Sequence, residues 1–302
     1  MDGVVIEIKR ILCPIDFSEA SRHALDHAVA LAGWYGGHVS TLHIYEPAPA
    51  GASGTLMGPY PFRPIPTVID VSRMREALGD FVRAAGAPDP VDVCIEPGRT
   101  ADVIVDRART LPADLIAIGT HGVGGFDHLV LGSVAEKVLR KATCPVLTVP
   151  PRVRVTSKLP FRRLLCPVDF SDSSVAALHM AFSIAQESDA ELTILHVLEG
   201  WPSEEALEGD AVLAPYYRTQ EGEMAHRLER LIPESVRDWC VPKTRLGRGK
   251  SYREILGIAT EDGADLIVMG VHGRNVLDLM LFGSTTNHVV RRATCPVLTV
   301  RR

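Results

Sequence analysis

Short runs of consecutive apolar residues alternate along this chain with longer stretches in which apolar residues recur every three or four positions. Residues 11–13 and 115–118 are runs of the first kind, 146–149 is one interrupted by Thr148, 39–44 reads as a further strand, and Val91, Val93 and Ile95 alternate as a half-buried strand does. Between them, Ala20, Ala24, Leu25, Ala28, Leu31 and Ala32 fall on one helical face, and Ser18 stands where an N-cap is needed. Val71, Met74, Leu78, Phe81 and Val82 predict a second helix, residues 101–108 a third and residues 133–141 a fourth. Strands apolar on both faces and separated by helices require right-handed crossovers and a mainly parallel sheet covered on both sides.

The same order returns in the second half, with strands predicted at 164–166, 192–197, 239–246, 266–269 and 297–300. Leu12-Cys13-Pro14-Ile15-Asp16-Phe17-Ser18 reappears as Leu165-Cys166-Pro167-Val168-Asp169-Phe170-Ser171. Ala142-Thr143-Cys144-Pro145-Val146-Leu147-Thr148-Val149 reappears as Ala293-Thr294-Cys295-Pro296-Val297-Leu298-Thr299-Val300. The offsets are 153 residues (Asp16 to Asp169) and 151 (Cys144 to Cys295), so the repeat is a duplicated domain rather than a solenoid unit of about 20–50 residues. The expected organisation is a first domain over 1–150 and a second over 158–302. Each is an α/β, doubly wound unit with a five-stranded parallel sheet. Ligands of such sheets bind beyond the carboxyl ends of the strands, where the strand order reverses.

At that place the first half reads Gly119-Thr120-His121-Gly122, nine residues, then Gly132-Ser133. The second reads Gly270-Val271-His272-Gly273, nine residues, then Gly283-Ser284. Glycines let backbone approach an anion, and the helix opening at each Gly-Ser presents free N–H groups and its positive dipole end. A turn alone would tolerate drift in this spacing, so its recurrence favours a phosphate site over simple turns.

The Gly-x-x-Gly-x9-Gly-Ser loop, the closing Cys-Pro-Val-Leu-Thr-Val and the early Pro-x-Asp together resemble the universal stress protein family, in its tandem-domain form. The resemblance covers nearly the whole chain. It implies the strand order 3-2-1-4-5 of the adenine nucleotide alpha hydrolase-like fold, and pairing of the two domains through their last strands about a pseudo-two-fold axis. The family has members that bind ATP through this loop and members that lack it. Carried over by position, Asp16 and Asp169 would meet ribose and adenine, with Pro14, Ile15, Ile44, Pro167, Val168 and Val197 beside the base. Gly119, Gly122, Gly132 and Ser133 would cradle phosphates, as would Gly270, Gly273, Gly283 and Ser284, with further backbone N–H groups from Val134 and Thr285. His121 and His272 would contact the nucleotide from within the loop. Arg274 would add a charged contact, favouring tighter binding in the second half.

The ligand so implied is ATP, or ADP or AMP, with Mg²⁺ as its companion. The expected role is a stress-response regulator with a site in each domain. An interaction scaffold that binds no nucleotide, or a slow ATP hydrolase, is the alternative. No general base or arginine finger is organised for water attack, and the Ser-Gly-Gly-x-Asp-Ser loop of ATP pyrophosphatases is replaced by Pro14-Ile15-Asp16-Phe17-Ser18. Catalysis beyond weak ATPase activity is not expected.

The remaining features change this picture little. The net charge of −5 argues against a nucleic-acid partner, which needs a basic face to neutralise phosphates, and leaves only a local basic patch open. No apolar run approaches the roughly 20 residues that span a bilayer, and no secretory pattern opens the chain, so the expectation is cytoplasmic, without a membrane partner. Gly249-Lys250-Ser251 resembles part of a P-loop, but Thr244 stands where the first glycine is needed. It and Gly98-Arg99-Thr100 read as strand-to-helix turns. The six cysteines form equivalent pairs (Cys13 and Cys166, Cys94 and Cys240, Cys144 and Cys295) in or beside apolar strands, as buried reduced thiols would. No metal-ligand spacing is present. Segments 46–66 and 199–217 read as long loops whose sequences diverge, which suggests separate partners or ligands for the two halves; protein partners are expected without being identified, and further homodimerisation of the chain is left open.

Overall fold

Each half lays down strand and helix in turn. The computed structural model describes residues 7–47, 70–86, 91–122, 131–151, 161–202, 213–271 and 283–301. The first half runs β1 (Arg10–Pro14), α1 (Glu19–Tyr35), β2 (His38–Tyr45), α2 (Val71–Ala84), β3 (Asp92–Pro97), α3 (Thr100–Thr110), β4 (Leu115–Gly119), α4 (Ser133–Lys141) and β5 (Val146–Val149). The second runs β6 (Arg163–Pro167), α5 (Asp172–Ser188), β7 (Glu191–Leu198), α6 (Leu213–Glu229), the single turn α7 (Glu234–Arg237), β8 (Lys243–Arg248), α8 (Ser251–Glu261), β9 (Leu266–Gly270), α9 (Ser284–Arg292) and β10 (Val297–Val300). Ser18 and Ser171 cap α1 and α5 by accepting from the backbone N–H groups of Ser21 and Ser174. The apolar face predicted for α1 is buried at every position named.

The strands form one sheet in the order β3-β2-β1-β4-β5-β10-β9-β6-β7-β8. Among the described residues, neighbours within each half are parallel in the order 3-2-1-4-5, and only β5 and β10 pair antiparallel. Leu147 faces Leu298, with Val146 opposite Thr299 and Thr148 opposite Val297, so a local two-fold axis passes between the leucines.

Alternation along the strands divides the core into two layers. Ile11, Cys13, Leu115, Ala117, Leu147 and Leu298 point to the side of α1, α2 and α5. Leu12, Ile116, Ile118, Val146 and Val297 point to the side of α3, α4, α8 and α9. Both layers run across the seam without interruption, so the halves share a core.

Two elements differ from the sequence expectation. The strand predicted at 239–246 begins only at Lys243. Cys240 instead donates its N–H to the Val236 carbonyl at 2.9 Å, Val241 is 82% exposed, and Pro242 lacks the N–H a ladder needs. Residues 213–217, predicted as loop, open α6. Residues 48–66 and 203–212 of the predicted loops lie outside the described residues.

The seam carries a symmetric pair of side-chain bonds. The buried hydroxyl of Thr148 donates to the Val297 carbonyl at 3.0 Å, and that of Thr299 to the Val146 carbonyl at 3.1 Å. Thr148→Val and Thr299→Val keep the shape and delete the donor, so each is expected to lower unfolding stability in urea by about 1 kcal/mol. Unequal costs would show that the two sides of the seam are not equivalent.

Candidate functional site

The carboxyl end of β1 turns sharply into α1, and Asp16 makes the turn. Its Oδ1 accepts from the Ser18 N–H at 3.0 Å and from the Ser18 hydroxyl at 2.5 Å. Between them Phe17 takes a φ of 64°, a left-handed conformation that costs an aromatic residue on the order of 1–3 kcal/mol. Its ring lies on His43, centroids 4.8 Å apart, and His43 Nδ1 donates to the Ile15 carbonyl at 2.8 Å. The second half repeats every part. Asp169 Oδ1 accepts from the N–H and hydroxyl of Ser171 at 3.0 and 2.6 Å, Phe170 has a φ of 63°, and His196 Nδ1 donates to the Val168 carbonyl at 2.7 Å. Strain repeated at the same place in both copies marks it as a built feature. Asp16 Oδ1 thus holds the turn while Oδ2 faces Gly122.

The glycines divide by what crowds them. A Cβ on Gly122 would come within 2.8 Å of Asp16 Oδ2. A Cβ on Gly119 would come within 2.8 Å of the Ala20 carbonyl carbon, and one on Gly270 within 2.8 Å of the equivalent Ser173 carbon. At Gly119 and Gly270 the close approach is therefore to α1 and α5, and it is fold packing rather than room for an anion that forbids a side chain. Gly132 and Gly283 are the N-cap residues of α4 and α9, with near-identical φ, ψ of −57°, 139° and −55°, 138°, and neither helix has a side-chain cap. The N–H groups at the start of α4 thus face outward with the helix dipole behind them.

These parts enclose a cavity of about 830 Å³ at the carboxyl ends of β1, β2 and β4. Pro14, Ile15, Asp16, Ile44, Gly119, His121, Gly122, Gly132, Ser133 and Val134 all line it, so every first-half residue named from the sequence meets in one place. In the second half Pro167, Val168, Asp169, Val197, Gly270, Gly283, Ser284 and Thr285 occupy the equivalent element ends. His272, Gly273 and Arg274 lie outside the described residues.

A family model described as the universal stress protein family matches residues 7–150 and again 160–301. The chain belongs to the universal stress protein family. A universal stress protein of Bacillus subtilis is 36% identical over 148 residues, 47% of this chain and 99% of its own length. One of Mycolicibacterium smegmatis is 26% identical over 96% of both chains. A crystal structure of a universal stress protein from Archaeoglobus fulgidus, 22% identical, covers 97% of this chain and 98% of its own with a TM-score of 0.62, a likeness of fold.

In this universal stress protein the cavity also has walls to which the sequence reading gave no part in the site. Thr100, read as part of a strand-to-helix turn, closes one side from the start of α3; the recurrence of Gly-x-Thr/Ser as Gly249-Lys250-Ser251 was the available signal. Glu136 on α4 and Arg291 on α9 close another. The cysteines take no part in the cavity lining. Burial pushes the Cys144 thiol up to about 11 and that of Cys295 up to about 12, and holds Cys13 and Cys166 higher still, so all four stay protonated at neutral pH.

Gly119→Ala is expected to cost about 1–3 kcal/mol of unfolding stability, because the added methyl meets helix backbone that cannot step aside. Denaturant unfolding of the intact chain checks it; an unchanged midpoint would show that α1 can shift away from β4.

Proposed function

We propose that this universal stress protein binds an adenine nucleotide, ATP or its ADP or AMP form, in each of two domains over 1–150 and 158–302. On this reading it acts as a nucleotide-responsive regulator in the cytoplasm, where a stress is translated into a change of protein partner. The observation that carries the proposal is the convergence of the Asp16 carboxylate, the Gly122 backbone and the uncapped start of α4 on one cavity. That set fits the ligand. Ile15 and Ile44 offer an apolar surface for a base, Asp16 Oδ2 an acceptor for ribose hydroxyls, and Ser133 and Val134 N–H groups for phosphate oxygens. The cavity volume falls in the range of small-ligand sites. Mg²⁺ would travel with the phosphates, to which it supplies charge neutralisation.

In the second domain the same roles fall to Asp169, Val168, Val197, Ser284 and Thr285, with Gly273, His272 and Arg274 completing the loop. Binding rather than turnover is the proposed activity. Among the described residues no helix is long and apolar enough to cross a membrane.

Mass spectrometry of small molecules released from the denatured protein, followed by calorimetric titration of the emptied chain with MgATP, tests the reading. A stoichiometry near two per chain is expected. Gly122→Ala, which sets a methyl against Asp16 Oδ2, should reduce it towards one, and so should Gly273→Ala. No released nucleotide and no binding heat would leave a scaffold that binds partners without a small ligand.

A further inference from the structure

The cavity of the first half is closed in part by a residue of the second. Arg291 lies on α9, which packs in the same core layer as α4 because β5 and β10 pair across the two-fold seam. We infer that Arg291 is the side chain that recognises the phosphate chain of a nucleotide in the first half's cavity, which makes that site complete only when the halves are paired. The inference rests on the nucleotide reading and adds a specificity-determining residue to it.

The geometry shows a cation held in place but poorly satisfied. Arg291 Nη2 is 3.6 Å from Glu136 Oε2, close enough for attraction and too long for a hydrogen bond. Its Nε is buried, with no hydrogen-bond partner among the described residues. Glu136 is meanwhile satisfied from its own helix, since Oε1 accepts from Arg140 Nη2 at 2.8 Å. The guanidinium therefore keeps its forked donors for another acceptor. Phosphate oxygens match that fork in geometry and exceed a shared carboxylate in charge. Glu136 serves as the placeholder: it fixes the guanidinium at the cavity wall and yields it to an entering anion.

The arrangement is not mirrored. Position 287, equivalent to Glu136, is Asn, so the second half has no carboxylate at this place. Arg140, the equivalent of Arg291, is already engaged by Glu136. Recognition from across the seam thus belongs to the first site.

The test compares MgATP with adenosine by calorimetry on the full chain, in a Gly273→Ala background that isolates the first site. Arg291→Gln should weaken ATP about 10-fold and leave adenosine unchanged, the loss expected for one charged hydrogen-bond contact. Arg291→Lys should fall between the two, having charge without the fork. Glu136→Gln should tighten ATP when Arg291 is present and not when it is Gln. A purely structural arginine would alter both ligands together. An unchanged ATP-to-adenosine ratio in Arg291→Gln, in a chain that still binds ATP, overturns this inference alone. A parent chain that binds neither ligand overturns the nucleotide reading and this inference with it.

Discussion

The last strand of a doubly wound unit has one bonded side and one bare side, and a bare row of N–H and C=O groups recruits whatever strand it meets. Here β5 and β10 meet each other. Their antiparallel pairing, centred on Leu147 and Leu298, covers both bare rows at once and turns two five-stranded sheets into one of ten strands. Everything that joins the halves follows from it. The core layers are continuous because the sheet is. Helices α4 and α9 come side by side because each precedes a strand of the pair. Arg301 reaches back to donate to the Leu139 carbonyl at 3.0 Å, closing the open end of the partner helix.

The cavity depends on a second constraint, the tight fit between each β-strand end and the first helix of its half. Gly119 and Gly270, lacking side chains, let α1 and α5 lie close against β4 and β9, at Ala20 and Ser173. That contact brings the Asp16 turn beside Gly122, so two glycines of one motif, three residues apart, are crowded by different neighbours: Gly119 by the α1 backbone and Gly122 by the Asp16 carboxylate at the cavity. Phe17 and Phe170 absorb the resulting backbone conformation, and each is held by the histidine ring beneath it.

Much of this could be read from the chain. The two-period pattern predicted the strands of both halves and the four helices of the first, because parallel strands buried on both faces leave apolar runs between helical stripes. The recurring Pro-x-Asp and glycine spacing located the first-half cavity residue by residue. What was not legible has physical causes. Trp239, Cys240 and Val241 look like a strand, but their apolar side chains sit in a helical turn and at the surface, with Pro242 delaying the ladder. At Gly119 the sequence shows that a side chain is forbidden but not that α1 is the neighbour that forbids it. Glu136 and Arg291 lie 155 positions apart, and only the register of β5 on β10 sets them face to face.

Joining the paired units in a single polypeptide has an evolutionary consequence. In a dimer of identical single-domain chains every substitution appears twice, so a change that improves one pocket is imposed on the other. Here the codon for position 136 and the codon for position 287 are independent, and Glu and Asn now stand at equivalent places. A duplicated chain can keep a symmetric seam, which needs both sides alike, while equivalent positions beside it change one at a time.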